Sequence, residues 1–221
     1  MRDRSQRATI SGIERRVYPV RLEVRAGPTA DTATIEGYAS VVEEPYQMFD
    51  WLGEYTEVVR SGAFARTLGA NPQVQLLLNH GGLSMAYTKA GTLRLAEDST
   101  GLYIGADLNT SRSDIRNMVT AIDDENVDEM SFAFRTTRQQ WSPDYDQRDI
   151  LEVDIHRGDV SVVNFGANPA TSVAMRAQDF DRLSDDDARA VVERLQRRLA
   201  APAAEPVHPL GLYLALAQAQ G

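Results

Sequence analysis

The chain has no cysteine among its 221 residues. That excludes disulfides, thiolate nucleophiles and cysteine zinc sites, and permits a reducing compartment without requiring one. No run of 18 apolar residues occurs, so no membrane-spanning helix is expected. Residues 1–16 are polar and arginine-rich with no apolar core, which is not the pattern of a secretory signal. A Gly-rich phosphate loop, a G-x-S-x-G elbow and internal repeats are all missing. Basic charge is in deficit: 23 Lys and Arg against 32 Asp and Glu give a net charge of −9. That sign is wrong for a general nucleic-acid binder, whose footprint is a basic surface. The acids Asp144, Asp146 and Asp149 lack the glycine and the distal glutamate of a calcium loop, so they read as a solvated hairpin with no metal.

What remains is a globular composition, 43% hydrophobic and 25% charged, of a length that suits one domain of about 150 residues with appendages. The expected organisation is a flexible basic arm over 1–16, a folded domain over 17–176, and a C-terminal helix and flexible tail over 177–221. Strands are numerous. Val20, Leu22 and Val24 alternate with charged residues, and residues 34–42 form a second strand. Residues 45–53 read as a loop, although Phe49, Trp51 and Leu52 are large for one. A short strand over 54–60 leads into a brief helix capped by Ser61, with Phe64 and Leu68 on one face. Residues 74–80 are a short apolar run that delivers His80 to the end of a buried strand. A hairpin turns at Asp98-Ser99-Thr100-Gly101. The period then changes: Ile115, Met118, Val119 and Ile122 mark an amphipathic helix, with Ser111 and Asp114 resembling a capping box. Leu151, Val153 and Ile155 form one further alternating strand and residues 159–165 another. Ser184 begins a second amphipathic helix. Many closely spaced strands with inserted helices predict a mainly β, α+β fold: an antiparallel barrel or sandwich with peripheral helices.

The stretch Glu129-Met130-Ser131-Phe132-Ala133-Phe134 alternates. Phe132 and Phe134 anchor one face in a core, and Ser131 and Ala133 point the other way. A hydroxyl on a rigid strand is a candidate nucleophile, and equally an ordinary strand serine. His80, at a strand mouth, is positioned to titrate near neutral pH. On residues 159–165, Asp159 and Ser161 share a face opposite Val160 and Val162. Asp159 is either an exposed strand end or a partly buried orienting acid.

Several segments resemble, in order, the HK97-type prohead maturation proteases of tailed phages. They are Glu57-Val58-Val59-Arg60-Ser61-Gly62-Ala63-Phe64, Leu76-Leu77-Leu78-Asn79-His80, residues 97–102, Met130-Ser131-Phe132-Ala133-Phe134, Asp159-Val160-Ser161-Val162-Val163 and Ala167-Asn168-Pro169. The resemblance covers roughly residues 20–176. The resemblance implies an antiparallel β-barrel of the herpesvirus assembly protease type, with His80 as general base, Ser131 as nucleophile and Asp159 as orienting acid. The phage family usually has glutamate at the Asp159 position, and His156 is the rival third member. Gly166 stands where the family commonly has proline. The implied activity is a serine endopeptidase with no cofactor and no metal. It would cut scaffold and the scaffolding segment of the major capsid protein inside the assembling procapsid, in the bacterial host cytoplasm. Nucleic acid and membrane are not expected partners, and homo-oligomerisation is left open. Self-trimming would fall within 1–16 or 177–221, and the oxyanion donors are expected around residues 164–168. The alternative is an inactive capsid- or scaffold-associated barrel that binds through residues 49–52 and 210–216.

Overall fold

The computed structural model describes residues 4–164 except 10, 11, 20, 21, 28 and 51, and beyond these only Arg189 and Val192. The chain divides into two compact units, Met1–Val173 and Ala174–Gly221. In the second unit Arg189 and Val192 are helical and exposed. The rest of the helix expected from Ser184, the tail patch over 210–216 and the Ala-Asn-Pro motif lie outside the described residues.

The described residues are mainly β, with 53% in strand. In chain order the strands and helices are β1 (Glu14–Pro19), β2 (Glu23–Ala26), β3 (Thr32–Val41), β4 (Tyr46–Asp50), β5 (Gly53–Val59), α1 (Ala65–Gly69), β6 (Gln75–Leu78), β7 (Gly81–Tyr87), β8 (Leu93–Glu97), β9 (Gly101–Asn109), α2 (Ser113–Asp123), β10 (Glu129–Trp141), β11 (Gln147–Asp154) and β12 (Asp159–Val163). One sheet runs β4-β5-β11-β10-β12-β6-β7, with β1 also paired to β10, and a second runs β2-β3-β9-β8. Neither sheet closes on itself among the described residues. Pairing is antiparallel except between β5 and β11 and between β6 and β12, which are parallel. Parallel neighbours need a crossover, and here the crossovers set β6 directly against β12.

Both sheets contribute to one hydrophobic core. Ile35, Leu102 and Ile104 come from the second sheet, Leu76, Met130, Phe132 and Ile150 from the first, and Ile115, Met118 and Ile122 from α2. Phe132 stacks on Phe134 with centroids 4.5 Å apart and meets Phe64 edge-on at 5.5 Å. The alternation read for β10 is therefore the one the core uses.

Four local expectations change. Residues 4–9 form a 3₁₀ helix and 14–19 a strand, not a solvated arm. The reason is electrostatic anchoring of two buried arginines. Arg7, 1% exposed, donates from Nε and Nη2 to Asp50 at 2.8 Å each and lies 4.7 Å over the Tyr55 ring. Arg16 donates to Glu57 at 2.5 and 2.9 Å. Second, residues 45–53 are largely a β-hairpin of β4 and β5, and its large residues serve the core: Met48 and Leu52 are buried. Third, neither helix takes the expected side-chain cap; Phe64 and Arg112 occupy the N-cap positions, and Asp114 pairs with Arg112. Fourth, Val153 and Ile155 are buried as expected, but Leu151 is only half-buried and Ile150 enters the core beside them. Register shifts around Thr136, Arg138 and Gln139 of β10 break the simple alternation.

Candidate active site

β10 sits between β1 and β12 over residues 129–132, with Ser131 directly opposite Val17 on one side and Ser161 on the other. Directly opposed residues point to the same face. Ser131, Ser161 and, by extension of the register, Asp159 beside Ala133 therefore share the face away from Phe132 and Phe134. Gly158 fixes how closely the β11–β12 connection approaches. A Cβ there would lie 2.5 Å from the Ala133 carbonyl oxygen, so any larger residue would push Asp159 away from β10.

β6 pairs in parallel with β12, Leu77 opposite Ser161 and Leu78 opposite Val162. The chain then reverses over Asn79-His80, and Leu78 pairs with Gly81 at the start of β7. Both turn residues have positive φ, 51° and 57°. Positive φ at both central residues is the signature of a type I′ hairpin turn. For non-glycine residues this conformation costs on the order of 1 kcal/mol and persists only where neighbours enforce it. The neighbours are on β12 and just beyond it. The Asn79 N–H donates to the Val162 carbonyl at 2.9 Å, the Asn164 N–H donates to Asn79 Oδ1 at 3.1 Å, and the His80 N–H donates to Ser161 Oγ at 3.2 Å. The turn thus folds the imidazole back over the sheet instead of letting it run on past the strand end.

His80 Nδ1 lies 2.6 Å from Asp159 Oδ2, and His80 Nε2 lies 2.7 Å from Ser131 Oγ. Ser161 Oγ donates to the same Asp159 oxygen at 2.6 Å. A carboxylate only accepts hydrogen bonds. With Asp159 ionised, the proton of the neutral ring is on Nδ1 and the lone pair is on Nε2, so Ser131 is the donor in its pair. The chain is Ser131 O–H to His80 Nε2, then Nδ1–H to Asp159. A second path, from the His80 backbone N–H through the Ser161 hydroxyl, closes a ring on the same carboxylate oxygen. Burial alone would raise the Asp159 carboxyl, but hydrogen bonds from His80 and Ser161, with Coulombic attraction from His80 and Arg15, hold it below the usual aspartate value. The side chains of His80 and Asp159 are 15% and 14% exposed, and Ser131 and Ser161 are completely buried.

The structure brings His80, Ser131 and Asp159 together. It takes the rival His156 elsewhere: its Nδ1 accepts the Gln73 backbone N–H at 3.2 Å, beside Arg66, Thr67 and Asp154. Of the stretch 164–168 expected to supply oxyanion donors, only Asn164 is described, and its N–H is committed to Asn79. Sequence reasoning placed Ser161 on the right face but assigned it no part. The signal was there, because a hydroxyl two residues after an acid on one strand stands beside that acid. It also read Asn79 only as the end of a strand. Reading residues 74–80 as one strand hid the tight turn at Asn79-His80.

A model of the caudovirus prohead serine proteases matches residues 20–186, a stretch that holds all three residues of the hydrogen-bonded chain. No curated protein and no solved structure matches the chain.

Proposed function

The chain belongs to the caudovirus prohead serine protease family, a family of capsid maturation peptidases, and from that premise we propose that it is an endopeptidase working through Ser131, His80 and Asp159. In this mechanism His80 Nε2 takes the Ser131 hydroxyl proton as Oγ attacks a peptide carbonyl. The same nitrogen then delivers that proton to the leaving amine, which departs and leaves an acyl-enzyme. Water, deprotonated by His80, hydrolyses the ester and restores the serine. Asp159 keeps the Nδ1–H tautomer in place and stabilises the imidazolium. The observation that carries this reading is the unbroken pair of short hydrogen bonds, 2.7 Å and 2.6 Å, linking hydroxyl, imidazole and carboxylate.

The substrates we infer are the scaffold and the scaffolding segment of the major capsid protein, cut inside the procapsid, with trimming of the enzyme's own ends. We infer also that the two sheets, sharing one core, form the wall of a barrel like that of the herpesvirus assembly proteases. A second reading, an inactive capsid- or scaffold-bound component, is favoured by one observation: Ser131 has no exposed surface. A carbonyl reaches Oγ only if the covering groups move.

Co-expression with the cognate capsid protein and scaffold distinguishes the two. Wild type is expected to release capsid and scaffold fragments seen by intact mass. Ser131→Ala is expected to lower that rate by at least about 10⁴-fold while the protein stays folded. Cleavage by Ser131→Ala at the wild-type rate would overturn the mechanism. Binding to capsid or scaffold with every chain left intact would support the inactive component.

A further inference from the structure

Several arginines on the described surface are paired. Arg60, Arg66, Arg94 and Arg112 each hold a carboxylate within 3.0 Å. Three exposed arginines beside the site make no ion pair with a described residue: Arg15, Arg135 and Arg157. Arg15 is opposite Ala133, one pleat along from the Val17–Ser131 pair and on the same face. Arg135 lies on that face too, one pleat beyond Ala133 on β10. Arg157 precedes Gly158, and with Asp159, Gln73, Gln75 and Tyr87 it lines an open pocket of about 330 Å³. The three thus surround Ala133 and Asp159 on the side from which a peptide would lie against Ser131.

Guanidiniums that form no ion pair with a described residue, set at the edge of a site in a protein of net charge −9, remain available to an incoming chain, and Arg15 already adds its field to that of His80 at Asp159. The rest of the surface repels acidic chains, so a local basic field against that background discriminates sharply. Strand geometry sets the reach. Arg15 and Arg135 are roughly 7 and 13 Å along the sheet from Ser131 at about 3.3 Å per residue. An extended peptide with its scissile carbonyl at Ser131 would carry its second to fourth neighbours past these guanidiniums, whose planar forks match carboxylates.

We propose that Arg15, Arg135 and Arg157 are specificity determinants that select peptide segments with aspartate or glutamate within about four residues of the cleaved bond. The proposal rests on the reading of Ser131 as nucleophile, but its test does not. Full-length Ser131→Ala protein is titrated, by fluorescence anisotropy, into two labelled peptides of equal length. One carries several aspartates among alanine and serine, and the other has asparagine in their place.

The aspartate peptide is expected to bind at least about tenfold tighter at about 50 mM salt, with the advantage shrinking as salt rises. Combining Arg15→Gln, Arg135→Gln and Arg157→Gln is expected to cut that advantage to about twofold or less. Arg116→Gln, on the exposed surface of α2, is expected to leave it unchanged. Equal binding of the two peptides, failure of both to bind, or an advantage that survives the triple substitution overturns the proposal. Circular dichroism of the triple variant shows that lost binding is not lost folding. Cleavage that persists in Ser131→Ala would remove the mechanism while leaving acid selection standing, so the two failures are separable.

Discussion

The two faces of β10 carry two polar clusters built on opposite terms. On the face of Phe132 and Phe134, Glu14 and Glu57 meet Arg16 and Arg148. Each of the four carboxylate oxygens accepts two hydrogen bonds, from these guanidiniums, Thr136 and Tyr46. Charges balance, two carboxylates against two guanidiniums. Burial alone would raise the Glu14 carboxyl, yet Arg148 and Arg16 outweigh it and hold it at about 2. On the other face a single carboxylate accepts from an imidazole and the Ser161 hydroxyl, and the imidazole's other nitrogen meets the Ser131 hydroxyl. That cluster is held as firmly, but it has one proton with somewhere to go. Similar burial and similar hydrogen-bond lengths therefore yield a strut in one place and a candidate catalytic relay in the other. What separates them is whether one group in the cluster can both accept and donate a proton. Arginine and glutamate hold theirs fixed, and an imidazole between a hydroxyl and a carboxylate does not.

The sharpest way to break this contrast is to remove the charge from the relay and leave its shape. Asp159→Asn keeps the volume but presents an amide N–H or a weak carbonyl acceptor to Nδ1, so the ring loses the tautomer that frees Nε2. A fall in kcat of about 10⁴-fold is expected, with little change in Tm. A Tm collapse with kcat per folded molecule unaltered would show Asp159 to be a strut like Glu57.

Removing a charge from the strut should do the reverse. Glu57→Gln leaves Arg16 and Arg148 buried against one carboxylate, a defect worth about 3–5 kcal/mol. Urea unfolding should show that loss, while the folded fraction keeps its kcat. An unchanged urea midpoint would mean that the cluster contributes nothing net. Acid probes the same cluster. The folded pKa of Glu14 lies below its ordinary value of 4.5, so its contribution is complete above that value and is lost as pH falls toward about 2. Stability of Glu14→Gln should accordingly depend less on pH across that window than that of wild type. Parallel curves would sink the assignment.

Much of the candidate site is legible from local pattern. Ser131 is marked by the alternation that sends its phenylalanine neighbours inward, and Asp159 by the apolar strand it opens. Both signals are period-two facts about one strand, and they survive because β10 and β12 are regular there. His80 is legible only as a residue at a strand mouth. Its delivery depends on a hairpin of two positive-φ residues clasped by β12, a contact across more than 80 positions that no local pattern encodes. The N-terminal segment was misread for the same reason. Five arginines in sixteen residues look solvated until Asp50 and Glu57, far along the chain, are seen to receive two of them. Charge-rich sequence is ambiguous because burial of charge is decided by distant partners. The register shifts of β10 similarly escape a reading that assumes strict alternation.

Ser161 sharpens the comparison at its smallest scale, because it belongs to the candidate relay yet bonds to neither the Ser131 hydroxyl nor the imidazole ring. Its hydroxyl accepts from the His80 backbone and donates to Asp159 Oδ2. It therefore holds the strained turn and supports the carboxylate at once. Ser161→Ala deletes both bonds and leaves a buried N–H and one lone pair of Asp159 unsatisfied, a loss of about 1–3 kcal/mol. Part should appear as lower stability and part as a kcat reduced by up to about tenfold, with KM little changed. The Asp159 carboxyl should also rise, since one of the hydrogen bonds that hold it down is gone. That shift, followed by carboxylate NMR titration, separates positioning from packing. Ser161→Thr keeps the hydroxyl and should recover both kcat and the depressed titration wherever its methyl fits. If Ser161→Ala lowers Tm but leaves both kcat and the Asp159 titration at wild-type values, Ser161 belongs with Glu57, as structure alone.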